Sequence, residues 1–435
     1  MSLRKPSLTL SQIINMNVGF FGIQYSFGLQ QSAVNPIYDF LGASPDEIPL
    51  LNLAGPVTGL LIQPFIGALS DSTWHPRWGR RKPYFFIGAL LCSICLLLYP
   101  FSSSLWMAAS LLWILDAGNN TAMEPYRAFV ADKLNEDQQP TGFQMQSFFT
   151  GFGQTLANLS LFIFPLIFIG KTGSLPTWVY ASFFLGAVCS IGSIWWSMRT
   201  TSEIEPTAEE LAQIRAKKVS VTESISEIFH AIGEMPKVMW QLALVYLFQW
   251  YALFCYWQNS SKSIALSVWN ATPKSNPAYY EEAVSWTGLV NGWYNIVTFL
   301  SALALANYAK KFGAKTVHMT CLALAAAGFL AFPHIENKNL LFFAITGFGI
   351  GWASMMGIPY LLVVSDIPKE RYGVYMGIIN MMIVIPMILQ NITFGFILKN
   401  FLDNDPRNAI TFAGALLAIA ALATALIKPS PNKTA

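Results

Sequence analysis

Charge is scarce in this 435-residue chain: Asp, Glu, Lys and Arg together supply 11% of its residues, against roughly 25% in an ordinary soluble domain. With 54% of the residues hydrophobic, too little polar surface is left to cover a water-soluble globule. Cysteine is scarce too. All five, Cys92, Cys95, Cys189, Cys255 and Cys321, fall in apolar runs, which argues against a disulfide framework. The CxxC spacing of Cys92 and Cys95 has no His or carboxylate beside it, so these read as small buried hydrophobes. Of four histidines, His75, His230 and His334 fall in loops and His318 near the end of a run, which leaves carboxylates to carry any proton. The roughly ten-residue alternating segments of a membrane barrel are missing. So are a nucleophile paired with a base and any metal-ligand spacing; neither an enzyme nor a cofactor is expected.

What the chain has in quantity is long apolar runs, at about 11–38, 48–70, 84–102, 105–131, 143–169, 177–198, 238–261, 283–309, 316–333, 340–364, 372–398 and 409–427. Each is near or above the roughly 18–20 residues that a helix needs to cross about 30 Å of hydrocarbon. The expected fold is an all-α membrane protein of twelve transmembrane helices. Lys and Arg collect on the cytoplasmic side of membranes, and with both termini inside, 19 basic residues fall in inner segments and 6 in outer ones, with Arg127 in a span. The net charge of +3 reflects that bias rather than a nucleic-acid partner. The first run has no small-residue cleavage site behind it and is expected to remain as the first helix.

Six spans, residues 1–198, are separated from six more, residues 237–435, by a Glu-, Lys- and Ser-rich stretch, Arg199 to Pro236, read as a cytoplasmic linker that tethers the halves. The halves echo each other. Glu124-Pro-Tyr-Arg-Ala-Phe-Val-Ala-Asp132 and Ile358-Pro-Tyr-Leu-Leu-Val-Val-Ser-Asp366 share Pro, Tyr and Asp at a constant offset of 234 residues. A parallel repeat of six helices is the pattern of transporters that bind solute near the midplane and alternate access by rocking. A second motif comes after the second span, Gly67-Ala-Leu-Ser-Asp71-Ser-Thr-Trp-His-Pro-Arg77-Trp-Gly79-Arg80-Arg81-Lys82. This loop resembles that of the major facilitators, and the resemblance implies that Asp71, Arg77, Gly79, Arg80 and Arg81 form a gating latch, a network suited to strong, directional carboxylate–guanidinium contacts. Simple positive-inside anchoring is the competing reading. The corresponding Asn307–Lys315 segment lacks the Asp and is expected to latch more weakly.

Eleven of the twelve runs carry no Asp, Glu, Lys or Arg; the run at 105–131 carries Asp116, Glu124 and Arg127. Charges at bilayer depth are expensive and face a polar cavity or a partner. At about 100° per residue, Asp116, Asn120, Met123, Glu124 and Arg127 form one stripe, with Asp116 and Arg127 roughly 16 Å apart along the axis. Glu124 and Arg127 are spaced to pair. The offset of 234 puts Ile350, Ile358 and Leu361 opposite the three charges, so ion coupling is expected in the first half and neutral contacts in the second. Asp116 is the candidate proton acceptor. Arg127 is either its cation or a clamp on substrate hydroxyls, with Glu124 as its resting partner; a static network that fixes helix packing is the competing reading.

The first span adds Asn17, Gln24, Gln31 and Tyr38 at seven-residue intervals, a polar face that either glues helices together or lines a solute path. Gln144 and Gln154, Gln249 and Tyr251, Asn291 and Asn295, and Asn380 and Gln390 extend the set in later spans. Amides, hydroxyls and aromatic faces suit a neutral polyhydroxylated solute better than a phosphate or nucleotide. The candidate substrate residues are Gln24, Gln31, Asn120, Arg127, Gln154, Gln249, Tyr251, Asn295 and Asn380.

The loop after the second span resembles that of the major facilitators. The stretch Ile114 to Asp132, together with Gly19–Gln24, Thr58–Pro64 and Gly373–Asn380, resembles the sucrose/proton symporters of plants and their bacterial and animal relatives, the glycoside-cation symporter branch of that superfamily. The resemblance implies two pseudo-symmetric six-helix halves. It implies that Asp116 couples the proton and that Arg127 is tied to coupling and sugar binding. Glu124 departs from the plant pattern and looks ordinary for the bacterial branch, which leaves sucrose, maltose and other glucosides open. The expected activity is proton-linked import of such a sugar by a monomer in a cell membrane, a bacterial inner membrane, with both termini cytoplasmic. The alternatives are a carrier or exporter of another organic solute, such as a siderophore or drug, and a non-transporting sensor.

Overall fold

The computed structural model describes residues 5–135, 137–216, 230–363 and 372–428. Asp366 of the repeated motif, and the basic residues Arg4, Lys217, Lys218, Lys369, Arg371 and Lys433, lie outside them. The helices are α1 (Leu10–Phe40), α2 (Ile48–Leu51), α3 (Ala54–Asp71), α4 (Lys82–Leu98), α5 (Leu105–Lys133), α6 (Gln139–Ile167), α7 (Thr177–Thr200), α8 (Ala208–Ala216), α9 (Lys237–Trp269), α10 (Pro277–Phe312), α11 (Ala314–Ala331), α12 (Leu341–Val363), α13 (Tyr372–Phe401) and α14 (Pro406–Ala425). A two-residue hairpin pairs Lys171–Thr172 with Leu175–Pro176 before α7.

Among the described residues, nine helices are long and apolar enough to cross a membrane. The long helices outside that set are α1, α5 and α10. Each is diluted by the amides and charges singled out above: Asn17, Gln24 and Gln31 on α1; Asp116, Asn120, Glu124 and Arg127 on α5; Asn291 and Asn295 on α10. The chemistry that lowers their apolarity is the candidate site itself. α9 also runs farther than its apolar pattern, through Trp269, so Lys262, expected in an outer segment, sits inside a helix and is 6% exposed. Gln258, Asn259, Ser260, Ser261 and Ser263 around it are buried as well, so helical hydrogen bonding continues where hydropathy alone would end a span.

The chain divides into two compact units, Met1–Leu41 with Val57–Val221, and Gly42–Pro56 with Thr222–Ala435. In the first unit, α1 packs on α5, α6 and α7, and α4 on α5 and α7. In the second, α9 packs on α12, α13 and α14, and α11 on α12 and α14. The contacts of α1 and α4 are matched by those of α9 and α11, and α10 in addition packs on α9, α11 and α12. The offset of 234 found in one motif therefore extends to whole elements: α4 and α11 start and stop within two residues of it, α5 and α12 start within two, and α6 and α13 end on it. Pro125 in α5 and Pro359 in α12 occupy the same place in their helices. The turns before α4 and α11 repeat too, with Gly79 at φ 75° and Gly313 at φ 84°. That left-handed backbone is open to glycine and strained for side chains.

Close helix packing within the first unit depends on small residues. A Cβ on Gly22 of α1 would meet the Cys189 carbonyl oxygen and would lie 2.7 Å from Ser190 Cα on α7. Across the same unit, the Asn119 amide donates to Ser26 Oγ at 2.9 Å, and the Cys92 thiol lies 3.0 Å from Asn119 Oδ1. Cys92 is a buried free thiol tying α4 to α5, which gives one member of the CxxC pair a packing role.

The second unit includes 42–56, a segment continuous at both ends with helices of the first. Within this unit Asp46 faces Lys399 Nζ at 3.4 Å and Asn404 Nδ2 at 3.4 Å on α13 and the turn beyond it. Burial pushes the Asp46 carboxyl up, but hydrogen bonds and the nearby ammonium of Lys399 outweigh it and hold the group below its ordinary range.

Candidate substrate and coupling site

Asp116 lies near the middle of α5 and is 3% exposed. Among the described residues no cation pairs with it. One turn on, Asn120 donates to the Asp116 carbonyl oxygen at 3.0 Å and to Thr58 Oγ1 at 3.0 Å, while Gln63 Nε2 donates to Asn120 Oδ1 at 2.5 Å. Two side chains of α3 thus fix the turn that carries the carboxylate. Sequence reasoning picks out Asn120 but gives Gln63 no role; its amide on an otherwise apolar helix is the signal that could have found it.

The charged stripe opens along its length. Asp116, Asn120 and Met123 are buried, whereas the side chains of Glu124 and Arg127 are 36% and 50% exposed and face each other at 3.8 Å. That separation allows ion pairing with little hydrogen-bond contribution, and a pair this exposed is worth about 0–1 kcal/mol. Arg127 therefore partners Glu124 in this structure and leaves Asp116 without an ion pair among the described residues. A static three-charge network is not formed.

Around this helix the first unit gathers further amides. Gln154 Nε2 on α6 donates to Gln24 Oε1 on α1 at 3.0 Å, and Ser32 donates to Asn158 Oδ1 at 2.6 Å. Gln31 is half-buried on the same helix. Asn17, the first member of the seven-residue series, donates to the Ile13 carbonyl one turn back and serves its own helix.

In the second unit, Tyr251 and Thr393 hydroxyls meet at 2.8 Å, and Asn295 donates to the Asn291 carbonyl at 3.0 Å. Gln258 Nε2 donates to Asn391 Oδ1 and Gln390 Nε2 to Gln258 Oε1, both at 2.8 Å. Gln249 is fully buried, and neither its oxygen nor its nitrogen has a hydrogen-bond partner among the described residues. An unmet buried amide is unfavourable by about 1–3 kcal/mol, a penalty that a hydroxylated solute or a water could relieve. Asn380 is exposed on α13.

Most of the residues expected in the latch meet in one ion-pair cluster, and the Arg77 side chain is not among them. Arg80 Nη2 and Arg81 Nη2 both lie 2.7 Å from Asp71 Oδ1, and Arg81 Nε lies 2.7 Å from Asp132 Oδ2 at the end of α5. Burial pulls the Arg81 guanidinium down, but Asp132 and then Asp71 outweigh it and hold it above its ordinary value. Arg77 contributes only its backbone N–H, to His75 Nδ1 at 3.2 Å, within the turn closed by the His75–Gly79 bridge. In the sequence Asp132 is one residue of the repeated motif; its role as the second carboxylate of the latch emerges only when α5 is folded beside α4.

Residues 16–391 match the Major Facilitator Superfamily. The chain is similar to the sucrose transport protein SUC4 of Arabidopsis thaliana, 24% identical over 94% of this chain and 90% of that one. It is also similar to the sucrose transport protein SUT5 of Oryza sativa subsp. indica, 21% identical over 86% and 79%. Among solved structures, the nucleoside transporter NupG superposes with a TM-score of 0.72 at 13% identity, covering 97% of this chain and 99% of that one. The xylose transporter XylE from E. coli, in a partially occluded inward open conformation, gives 0.67 at 14% identity over 98% and 99%. At such identities the structural likeness speaks for the fold.

Proposed function

The chain belongs to the Major Facilitator Superfamily, a multi-pass membrane transporter of a small organic solute and not an enzyme, and on that premise we propose that it imports a neutral disaccharide or glucoside together with protons. In this reading twelve helices span the membrane in two six-helix halves joined by the 199–236 linker, with both termini cytoplasmic, and the chain falls in the glycoside-cation symporter branch.

The observation that carries the reading is Asp116: a carboxylate 3% exposed, without a cation among the described residues, on a helix otherwise held by amides and hydroxyls. A buried carboxylate without a counter-charge gains from binding a proton. Protonation removes the penalty of holding charge at membrane depth, so the proton and the closed, solute-bound state favour each other. Arg127, half-exposed beside Glu124, supplies donors for sugar hydroxyls from the same stripe. Gln24, Gln31, Asn120 and Gln154 in the first unit, and Gln249, Tyr251, Asn295 and Asn380 in the second, supply the neutral polar contacts. The similarity to plant proteins named as sucrose transporters supports the sugar.

The test is uptake by proteoliposomes of sucrose, maltose, a phenyl glucoside, a nucleoside and a siderophore, each with and without an inward proton gradient. Gradient-driven accumulation of one or more of the glycosides alone is the expected result. Accumulation of the nucleoside or siderophore without any glycoside would replace the substrate class, and glycoside flux indifferent to the gradient would remove the proton.

A further inference from the structure

The linker does more than tether, because its first residues are built into the first unit. Glu203 reaches the start of α4 and accepts three successive backbone N–H groups: Arg80 N at 2.7 Å to Oε2, and Arg81 N and Lys82 N at 2.9 and 3.0 Å to Oε1. The first N–H groups of a helix have no partner within it and carry the positive end of its dipole. α4 has no capping side chain of its own; the linker supplies a full negative charge instead. Lys82 and Lys133 add further attraction for the same carboxylate.

Gly79 makes the fit possible. Its φ of 75° turns the backbone so that the N–H groups converge, and a Cβ there would lie 2.6 Å from Glu203 Oε1. The equivalent turn in the second unit provides an internal control. Gly313 has φ 84° and, among the described residues, nothing within 4 Å of its Cβ position, and the helix it precedes also lacks a capping side chain. The scaffold repeat thus produces the same turn twice, and among the described residues the one beside the Asp71–Arg80–Arg81–Asp132 cluster is filled from the linker.

Beyond Glu203 the chain leads into α8. Thr207 N donates to Glu210 Oε2 at 2.8 Å and Glu210 N to Thr207 Oγ1 at 3.2 Å, a reciprocal capping box that starts α8. Residues 203–206, Glu210 and Ile214 line a cavity of about 450 Å³ together with Asp71, Arg80, Asp132 and Lys133. Arg80 and Arg81 thus use their backbones to hold the linker and their side chains to hold the latch, so the two cannot move independently.

We propose that Glu203 is a positioning residue that makes the linker a working part of the latch: its carboxylate, seated on the 80–82 amides, orders residues 203–214 over the ion cluster, and linker undocking and cluster opening are one event. The proposal concerns the first unit alone and holds whatever solute is carried.

The test places a cysteine at Ile214 in the purified full-length protein and measures its labelling rate with a maleimide, over the background of the native cysteines. Glu203→Gln keeps the shape and loses the charge, and Gly79→Ala blocks the seat; each is expected to speed labelling about tenfold, with Glu203→Asp in between. Asp71→Asn, which leaves Glu203 untouched, should speed it as well. The double variant Glu203→Gln with Asp71→Asn should label no faster than the faster single one. Unchanged labelling in Glu203→Gln overturns the docking; effects that multiply in the double variant overturn the coupling, because a simple helix cap would be indifferent to Asp71.

Discussion

Neutralising Asp116 separates coupling from stability. Asp116→Asn keeps the side-chain shape and removes a charge that is 3% exposed and has no ion pair among the described residues. In a static network, deleting one partner of a buried pair destabilises by about 3–5 kcal/mol; here no counter-charge is stranded, so thermal unfolding should occur at the wild-type temperature or slightly above. Transport should respond quite differently. One charge moving inward is worth about 2.3 kcal/mol per 100 mV, which at 1.4 kcal/mol per decade is about 40-fold of accumulation. The assay is uptake of a transported glycoside into proteoliposomes at an imposed potential of 100 mV, with counterflow measured in the same preparation. Asp116→Asn should lose the roughly 40-fold uphill component and retain counterflow, because the amide can still occupy the protonated state's place. Wild-type accumulation by the variant, or a drop in unfolding temperature with loss of both activities, would refute the reasoning.

Glu124→Gln should leave thermal stability within about 0.5 kcal/mol, since the pair with Arg127 is long and exposed, and should act on KM in transport assays. Gln63→Leu removes the donor to Asn120 Oδ1 and should weaken gradient-driven uptake more than counterflow, measured side by side. Gly22→Ala forces α1 away from α7 and should lower stability by about 1–3 kcal/mol in a thermal-shift assay. Arg81→Met should cost about 1–3 kcal/mol, less than a fully buried pair, because the Asp71 and Asp132 side chains are 31% and 40% exposed. The Asp46 carboxyl is held below its ordinary 3.8, so its contribution is fully present above that pH and is lost as pH falls through the lowered value; Asp46→Asn should mimic the acid state by raising hydrogen exchange across 42–56 at neutral pH.

Much of this molecule can be read in one dimension. Hydropathy places the helices because each must bury or solvate its own length, and the offset of 234 is legible because a repeated scaffold keeps Pro125 and Pro359, and Gly79 and Gly313, in register. The stripe on α5 is set by helical periodicity alone. Hydropathy stops short of Lys262, whereas backbone hydrogen bonding carries α9 past its apolar stretch and the polar turns at its end are buried. Pair identity is also beyond it. Whether Arg127 answers Asp116 or Glu124 depends on side-chain reach and exposure, and the 3.8 Å contact selects Glu124. Gln63 and Thr58 meet Asn120 across 57 and 62 residues of chain, and Glu203 meets the 80–82 amides across more than 120. Composition and period, being local, suffice to locate the charged stripe on α5 and to show that Ile350, Ile358 and Leu361 stand at the matching positions of the other half. Tertiary structure alone decided that Asp116 has no ion pair among the described residues and that the linker caps the latch, because those facts depend on which distant donors and acceptors folding brings within about 3 Å of one another.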